Sequence, residues 1–244
     1  MLHFLKQAHT ERRRVIAVLL DPEKFDPFVA SVEDLLPVNQ TDVIILVGGS
    51  TRDQLPMSTW LCQLKTQTTC PIFLFPGDVS QLSDQADALL FLQLLSGDNP
   101  EYLIGQHEKA VPILEKMDIE IIPTAYLLID GGTVTSVEQL TITKPLDQHN
   151  IDLISRRAKA AEWLGHQLVY LEAGSGAMKA VSPEIVQQVA NRCSIPILVG
   201  GGIRSVAVME QLWEAGATVV VLGTILEQQP DFFSTVNGTK TCLQ

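Results

Sequence analysis

Val15-Ile16-Ala17-Val18-Leu19-Leu20-Asp21-Pro22 is the stretch that decides the fold. Six consecutive apolar residues, Val15 to Leu20, are too few for a helix. They suit a strand buried on both faces, as in a parallel sheet. A doubly wound open sheet would carry a glycine-rich fingerprint after its first strand. Here the strand runs straight into Asp21-Pro22. Outward from it, similar runs recur at Val43–Val47, Ile72–Phe75, Ala88–Leu92, Glu120–Pro123, Leu168–Leu171, Ile197–Val199 and Val219–Leu222.

Helical patterns lie between many of these runs. Phe28, Val32, Leu35 and Leu36 share one helical face, as do Ile151, Ile154, Ala158 and Ala161, and as do Ile185, Val189 and Cys193. Ser182-Pro183 has the form of a helix start, Ser at N-cap and Pro at N1. Eight strands alternating with helices over 244 residues is the arithmetic of a (β/α)8 barrel, one α/β domain over residues 1–244. Two spacings depart from it. The interval from Phe75 to Ala88 is too short for a full helix, so the third helix is expected to be shortened or missing. The interval from Pro123 to Leu168 is too long and implies an extra segment before a helix at Asp152–Leu164.

Composition narrows the function. A net charge of -11 argues against nucleic acid, whose binders carry basic stripes, and against charge-driven docking on anionic membranes. No run approaches the length of a membrane-spanning helix. The N-terminus lacks the features of a signal peptide. The cysteines Cys62, Cys70, Cys193 and Cys242 are scattered without a CxxC pair, which suits a reduced, cytoplasmic setting. Of 16 glycines, ten fall in clusters: Gly48-Gly49, Gly131-Gly132, Gly174 with Gly176, Gly200-Gly201-Gly202, and Gly223.

In a barrel the chemistry sits at the carboxyl ends of the strands. Strand one ends in Asp21 and strand two in Gly48-Gly49-Ser50-Thr51. One carboxylate and one hydroxyl on a shared rim suit Mg²⁺, which keeps waters and takes further ligands from substrate phosphates. Strand six ends in Tyr170-Leu171-Glu172-Ala173-Gly174-Ser175-Gly176-Ala177. Alternation places Tyr170 and Glu172 on one face, assigned to the barrel interior. Strand seven ends in Val199-Gly200-Gly201-Gly202-Ile203-Arg204 and strand eight in Leu222-Gly223-Thr224. Loops after strands seven and eight form the recurrent phosphate site of such barrels. The residues alone thus give two anion sites and a carboxylate on one rim. Such a rim fits a transferase that joins two phosphorylated substrates.

These motifs resemble the geranylgeranylglyceryl / heptaprenylglyceryl phosphate synthase family over nearly the whole chain. The resemblance rests on Leu20–Lys24, Val47–Thr51, Phe73–Gly77, Ser96–Pro100, Pro123–Tyr126, Tyr170–Ala177 and Val199–Arg204. It implies a modified TIM barrel without its third helix. It implies alkylation of the 3-hydroxyl of sn-glycerol 1-phosphate by a polyprenyl diphosphate, with Mg²⁺ help. Asp21 and Ser50 resemble its metal ligands. Tyr170, Leu171, Glu172, Ala173, Gly174, Ser175 and Gly176 resemble its glycerol phosphate segment, with Gly201, Gly202, Gly223 and Thr224 as the phosphate cradle. Tyr170, Glu172 and Asp21 are the expected catalytic residues. Leu19 resembles the archaeal-like branch. Thr224 departs from a frequent Asn, and Asp98 from a frequent Arg. The family further implies a homo-oligomer, and the lipid product implies at most loose membrane contact. Trp60, Trp163 and Trp213 are candidate interface anchors or outer-layer core. An apolar groove for the prenyl chain is expected where the third helix is missing, near Phe73, Phe75 and Phe91, at least two of which are expected to be ordinary core. The other readings are a phosphate-binding barrel isomerase or lyase, and a non-catalytic polyprenyl phosphate binder.

Overall fold

A computed structural model describes residues 1–37, 42–49 and 56–233. Eight parallel strands close a barrel in sequential order: β1 (Val15–Leu20), β2 (Val43–Val47), β3 (Ile72–Leu74), β4 (Ala88–Leu94), β5 (Glu120–Leu128), β6 (Leu168–Glu172), β7 (Ile197–Gly200) and β8 (Val219–Leu222). The helices are α1 (Leu2–Thr10), α2 (Met57–Lys65), α3 (Gln106–Leu114), α4 (Ser136–Thr141), α5 (Ile151–Trp163), α6 (Pro183–Arg192), α7 (Val206–Glu214) and α8 (Thr224–Gln228). Among the described residues no helix is long and apolar enough to cross a membrane.

Alternation sorts the strand side chains into two layers. Ala17, Ile44, Leu46, Phe73, Leu90, Ile122, Leu168, Leu198 and Val219 fill the barrel interior. Val18, Ile45, Leu74, Leu89, Leu127, Val169, Val199 and Val220 face the helices. α1 closes the amino-terminal end of the barrel. Its Leu5 and Ala8 are fully buried in the interior cluster. Polar contacts hold it at the strand starts: the Met1 amino group on Glu120, Lys6 Nζ on Gln167, and His9 Nδ1 against Thr218 Oγ1 at 2.9 Å. Ser182 caps α6 as the sequence suggests, and three further helices start on side-chain caps not expected from the sequence. Ser182, Asn150, Thr135 and Ser205 accept amide hydrogen bonds at α6, α5, α4 and α7.

The two irregular intervals appear where expected. Between β3 and β4 there is only a short 3-10 turn, Val79–Gln81, capped by Asp78. The long interval is partly strand, because β5 continues to Leu128 instead of stopping at Pro123. The rest carries α4 and a parallel bridge from Ile129 to Leu146. One helical face is not realised: only a 3-10 turn at Val32–Leu35 forms, and Phe28 is exposed. The Asp26 carbonyl accepts from Val29 and Ala30, and Ser31 then caps a new turn, which splits the segment. α3 begins from a wide π-type turn, Glu101–Gly105.

Leu5→Ala should cost about 2–5 kcal/mol of unfolding free energy, the range for emptying a packed leucine site. Urea unfolding of the variant checks this, with an unchanged slope expected, since only the plug loses volume.

Candidate active site

Glu172 sits at the end of β6, 7 % exposed, pointing into the barrel mouth. Its Oε1 accepts a 2.7 Å hydrogen bond from the Gly174 amide. Burial raises its carboxyl above the ordinary value, while the Tyr170 hydroxyl and the Gly174 amide pull the other way. The Tyr170 hydroxyl lies beside the carboxylate without forming an aligned hydrogen bond, and so remains a buried polar atom without a partner. Its ring packs tilted against Phe75, centroids 5.3 Å apart, and edge-on against Tyr126 at 5.5 Å. Tyr126 is fully in register with Tyr170 across β5 and β6. Burial and the Glu172 charge hold both phenols well above their ordinary values, so both stay neutral.

The backbone around this carboxylate is glycine by necessity. A Cβ at Gly200 would lie 2.5 Å from Glu172 Oε2 and 2.6 Å from the Tyr170 hydroxyl. One at Gly201 would lie 2.5 Å from Glu172 Oε1. Gly174, Gly176, Gly201 and Gly202 all adopt positive φ, which other residues rarely take. Ser175 Oγ meets Thr224 Oγ1 at 3.2 Å, joining the loop after β6 to the start of α8. Among the described residues, the amides of Gly176, Gly202 and Thr224 donate to no carbonyl. They form one concave cluster of donors on the rim. Leu171 and Ala173, expected in the same contact segment, instead face the helix layer as core. Their contribution to a site is through the backbone, because alternate strand positions point away from the barrel mouth.

Asp21 follows β1 on the same rim. Its Oδ1 accepts from the Glu23 amide at 3.1 Å, and burial raises its carboxyl above the ordinary value. Gly49 makes room for it, since a Cβ there would lie 2.6 Å from Asp21 Oδ1. Lys24 Nζ is 4.0 Å from Asp21 and 3.1 Å from both carboxylate oxygens of Glu227 on α8. Ser50 lies outside the described residues. Among those described, no group of three or more His, Cys, Asp or Glu forms a metal cage. Asp21 gives this open rim one hard-oxygen carboxylate, a donor that would suit Mg²⁺ only if waters and substrate oxygens supplied its other ligands.

Glu172, Asp21 and the glycine cluster open into one cavity of about 450 Å³. It continues as an apolar trough over the side of the barrel, where the missing helix would have lain. Leu89, Phe91, Val79, Leu82, His107 and Ala110 line that part. His107 packs edge-on against Phe91 at 4.5 Å, and burial lowers its pKa, so it stays neutral. Of the three expected phenylalanines, Phe75 and Phe91 line the cavity, and Phe73 is fully buried core. Tyr126, Lys24 and the α3 lining are additions to the site expected from sequence. Tyr126 follows from carrying the alternation of β5 three residues past Pro123. Gly131-Gly132 also finds a place. A Cβ at Gly131 would lie 2.6 Å from that of Ala177, so the insertion packs directly on the loop after β6.

A family model described as the PcrB family matches residues 7–240. A geranylgeranylglyceryl phosphate synthase from Zunongwangia profunda is 45 % identical over 93 % of this chain and 97 % of its own. One from Korarchaeum cryptofilum is 36 % identical over 95 % of each chain. The crystal structure of (S)-3-O-geranylgeranylglyceryl phosphate synthase from Thermoplasma acidophilum, in complex with substrate sn-glycerol-1-phosphate, is similar at TM-score 0.80 and 31 % identity, with 94 % of each chain covered. A match over nearly the whole sequence, on a barrel of the same shape, makes this chain a member of the PcrB family.

Proposed function

We propose that this protein is a prenyltransferase that joins a polyprenyl group, of the geranylgeranyl type, to the 3-hydroxyl of sn-glycerol 1-phosphate. The observation that carries the reading is the single cavity with a carboxylate and a donor cluster at one end and an apolar trough at the other. A phosphate-binding isomerase or lyase would use the first half and leave the trough without an occupant.

The glycine cluster at Gly174–Gly176, Gly201-Gly202 and Gly223-Thr224 holds the glycerol phosphate through backbone amides, with the Ser175 and Thr224 hydroxyls beside them. Glu172 then faces the glycerol. It orients the 3-hydroxyl and takes its proton as the oxygen attacks C1 of the prenyl group. The new C–O ether bond forms, the C1–O bond to diphosphate breaks, and diphosphate leaves. The raised Glu172 pKa makes it a stronger base than an exposed carboxylate. Tyr126 and Phe75 line the cavity and offer π faces to positive charge developing at C1. Tyr170, expected from the sequence to touch substrate, is instead fully buried behind them and packs against both rings, so it acts as a positioning residue. Asp21 and Ser50 are the proposed Mg²⁺ ligands on the diphosphate side. When bound there, the ion neutralises charge on the leaving group. Lys24 supplies a second cation on that side. Binding both substrates on one rim makes the encounter effectively unimolecular.

Trp60 is buried and donates to the Phe25 carbonyl, and Trp213 is half-buried against Arg14. Trp163 is 80 % exposed and is the tryptophan available to anchor a second copy in the proposed homo-oligomer.

Turnover of glycerol 1-phosphate with a panel of prenyl diphosphates tests the activity, and no product with any of them would refute it. Asp21→Asn should reduce turnover and raise KM for the prenyl diphosphate while leaving glycerol phosphate binding unchanged, as steady-state kinetics and calorimetry would show. Glu172→Gln should lose on the order of 10²–10⁴ in rate. It should also change stability in a pH-dependent way. Below the ordinary carboxylate pKa, Glu172 is protonated in both folded and unfolded chains and contributes nothing. As pH rises past that value the unfolded chain ionises first, so wild-type stability falls until the raised folded pKa is passed. Melting curves should therefore show Glu172→Gln more stable than wild type at neutral pH and equal to it in acid.

A further inference from the structure

The insertion between β5 and α5 leaves apolar side chains exposed beside the trough. α4 lies along the cavity, which Thr135, Ser136, Val137, Leu140 and Thr141 help to line. The residues that bracket this helix, Val134 and Ile142, are 62 % and 89 % exposed. Tyr102 donates to the Leu140 carbonyl and Asn99 to that of Thr141, which ties the helix to the π-type turn carrying exposed Ile104. At the other end, Gly132 lies against exposed Met178 of the loop after β6. Of these exposed apolar residues Leu140 itself lines the cavity, and Val134, Ile142, Ile104 and Met178 lie on the segments joined to its wall.

Ile142 is the decisive residue. It adopts φ 53 and ψ 34, the left-handed conformation, just past the end of α4. Glycine or asparagine is the ordinary occupant of that position, and a β-branched residue is strained there. The chain nevertheless holds an isoleucine and points it outward, where it satisfies nothing inside the fold. Its side chain has value only for contact outside the chain.

We infer that this rim is a docking surface for a neutral lipid bilayer, and that it delivers the prenyl diphosphate from the membrane into the trough. The inference rests on the prenyltransferase reading. The occupant follows from continuity. Leu140 is both half exposed on the rim and part of the cavity wall, so the apolar surface runs unbroken from outside into the trough. A polyprenyl chain is itself held in bilayers by burial of its hydrocarbon. The segments that carry these residues hold charges of both signs, Lys144, Lys179 and Arg204 (which donates to the Met178 carbonyl) with Asp130, Glu138 and the Lys109-paired Glu101, in a chain of net charge -11. Neutral headgroups therefore suit it, and an anionic surface would repel the rest of the molecule.

Sedimentation of the full chain with phosphatidylcholine vesicles, with and without phosphatidylglycerol, tests the surface. Binding to the neutral vesicles is expected, with roughly tenfold weaker partition for Ile142→Glu, the effect of losing one buried aliphatic side chain. Ile142→Gly should raise the melting temperature by relieving the left-handed strain and yet lose vesicle binding, which a purely structural role would not produce. KM for a long prenyl diphosphate presented in vesicles should rise in both variants, with that for a short, water-soluble one unchanged. Equal vesicle partition for wild type and variants overturns the inference. So does binding that requires phosphatidylglycerol. Concentration-dependent self-association abolished by Ile142→Glu, without vesicle binding, assigns the rim to a second copy instead. Failure of wild type to turn over the soluble substrate refutes the prenyltransferase reading separately, whatever the vesicles show.

Discussion

A carboxylate buried at the end of a barrel strand is the constraint around which this molecule is arranged. An unpaired charge in that position is costly. Glu172 is accommodated by one amide donor, Gly174, a neighbouring phenol, and a backbone that withdraws from it. Gly200 and Gly201 lack the Cβ atoms that would collide with its oxygens. Gly201, like Gly174, Gly176 and Gly202 beside it, also has a left-handed φ, which brings backbone amides together at the same rim. The buried carboxylate and the amide cluster are therefore consequences of one local solution. Its cost is stability at neutral pH, a trade common at functional sites.

The second organising feature is a missing element. A complete barrel would cover the outer faces of β3 and β4 with a helix. Here thirteen or so residues pass between the two strands with only a 3-10 turn, and Leu89 and Phe91 are left lining a trough. The insertion after β5 supplies the opposite wall through α4 and fastens itself to the β6 loop at Gly131. Loss of a helix and gain of an insertion are thus two sides of one cavity. The cavity thus joins a polar rim to an apolar wall over the side of the barrel.

The anion binding proposed for this chain of net charge -11 draws on the same economy. The rim offers oriented amides, one carboxylate suited to a hard cation, and Lys24. None of these needs a basic surface. The Lys24–Glu227 pair also links the end of β1 to α8, so the two halves of the rim share a structural joint.

Most of the barrel was legible in the chain because parallel strands buried on both faces leave near-continuous apolar runs. Seven of the eight strands lie within two residues of those runs. The inward direction of Tyr170 and Glu172 was legible too, since alternation is local geometry. β5 was cut short because Pro123 and Thr124 interrupt its apolar pattern, and with it went Tyr126. The helix expected at Phe28–Leu36 failed because side-chain periodicity says nothing about the turns at Asp26 and Ser31 that break it. Sequence alone determined the strands, the missing helix and the polar residues at the strand ends, all set by short-range pattern. Tertiary structure alone decided that Ser175 meets Thr224, that Gly49 makes room for Asp21, and that the insertion walls the trough. Those pairings join residues up to 49 positions apart, and only closure of the barrel brings them together.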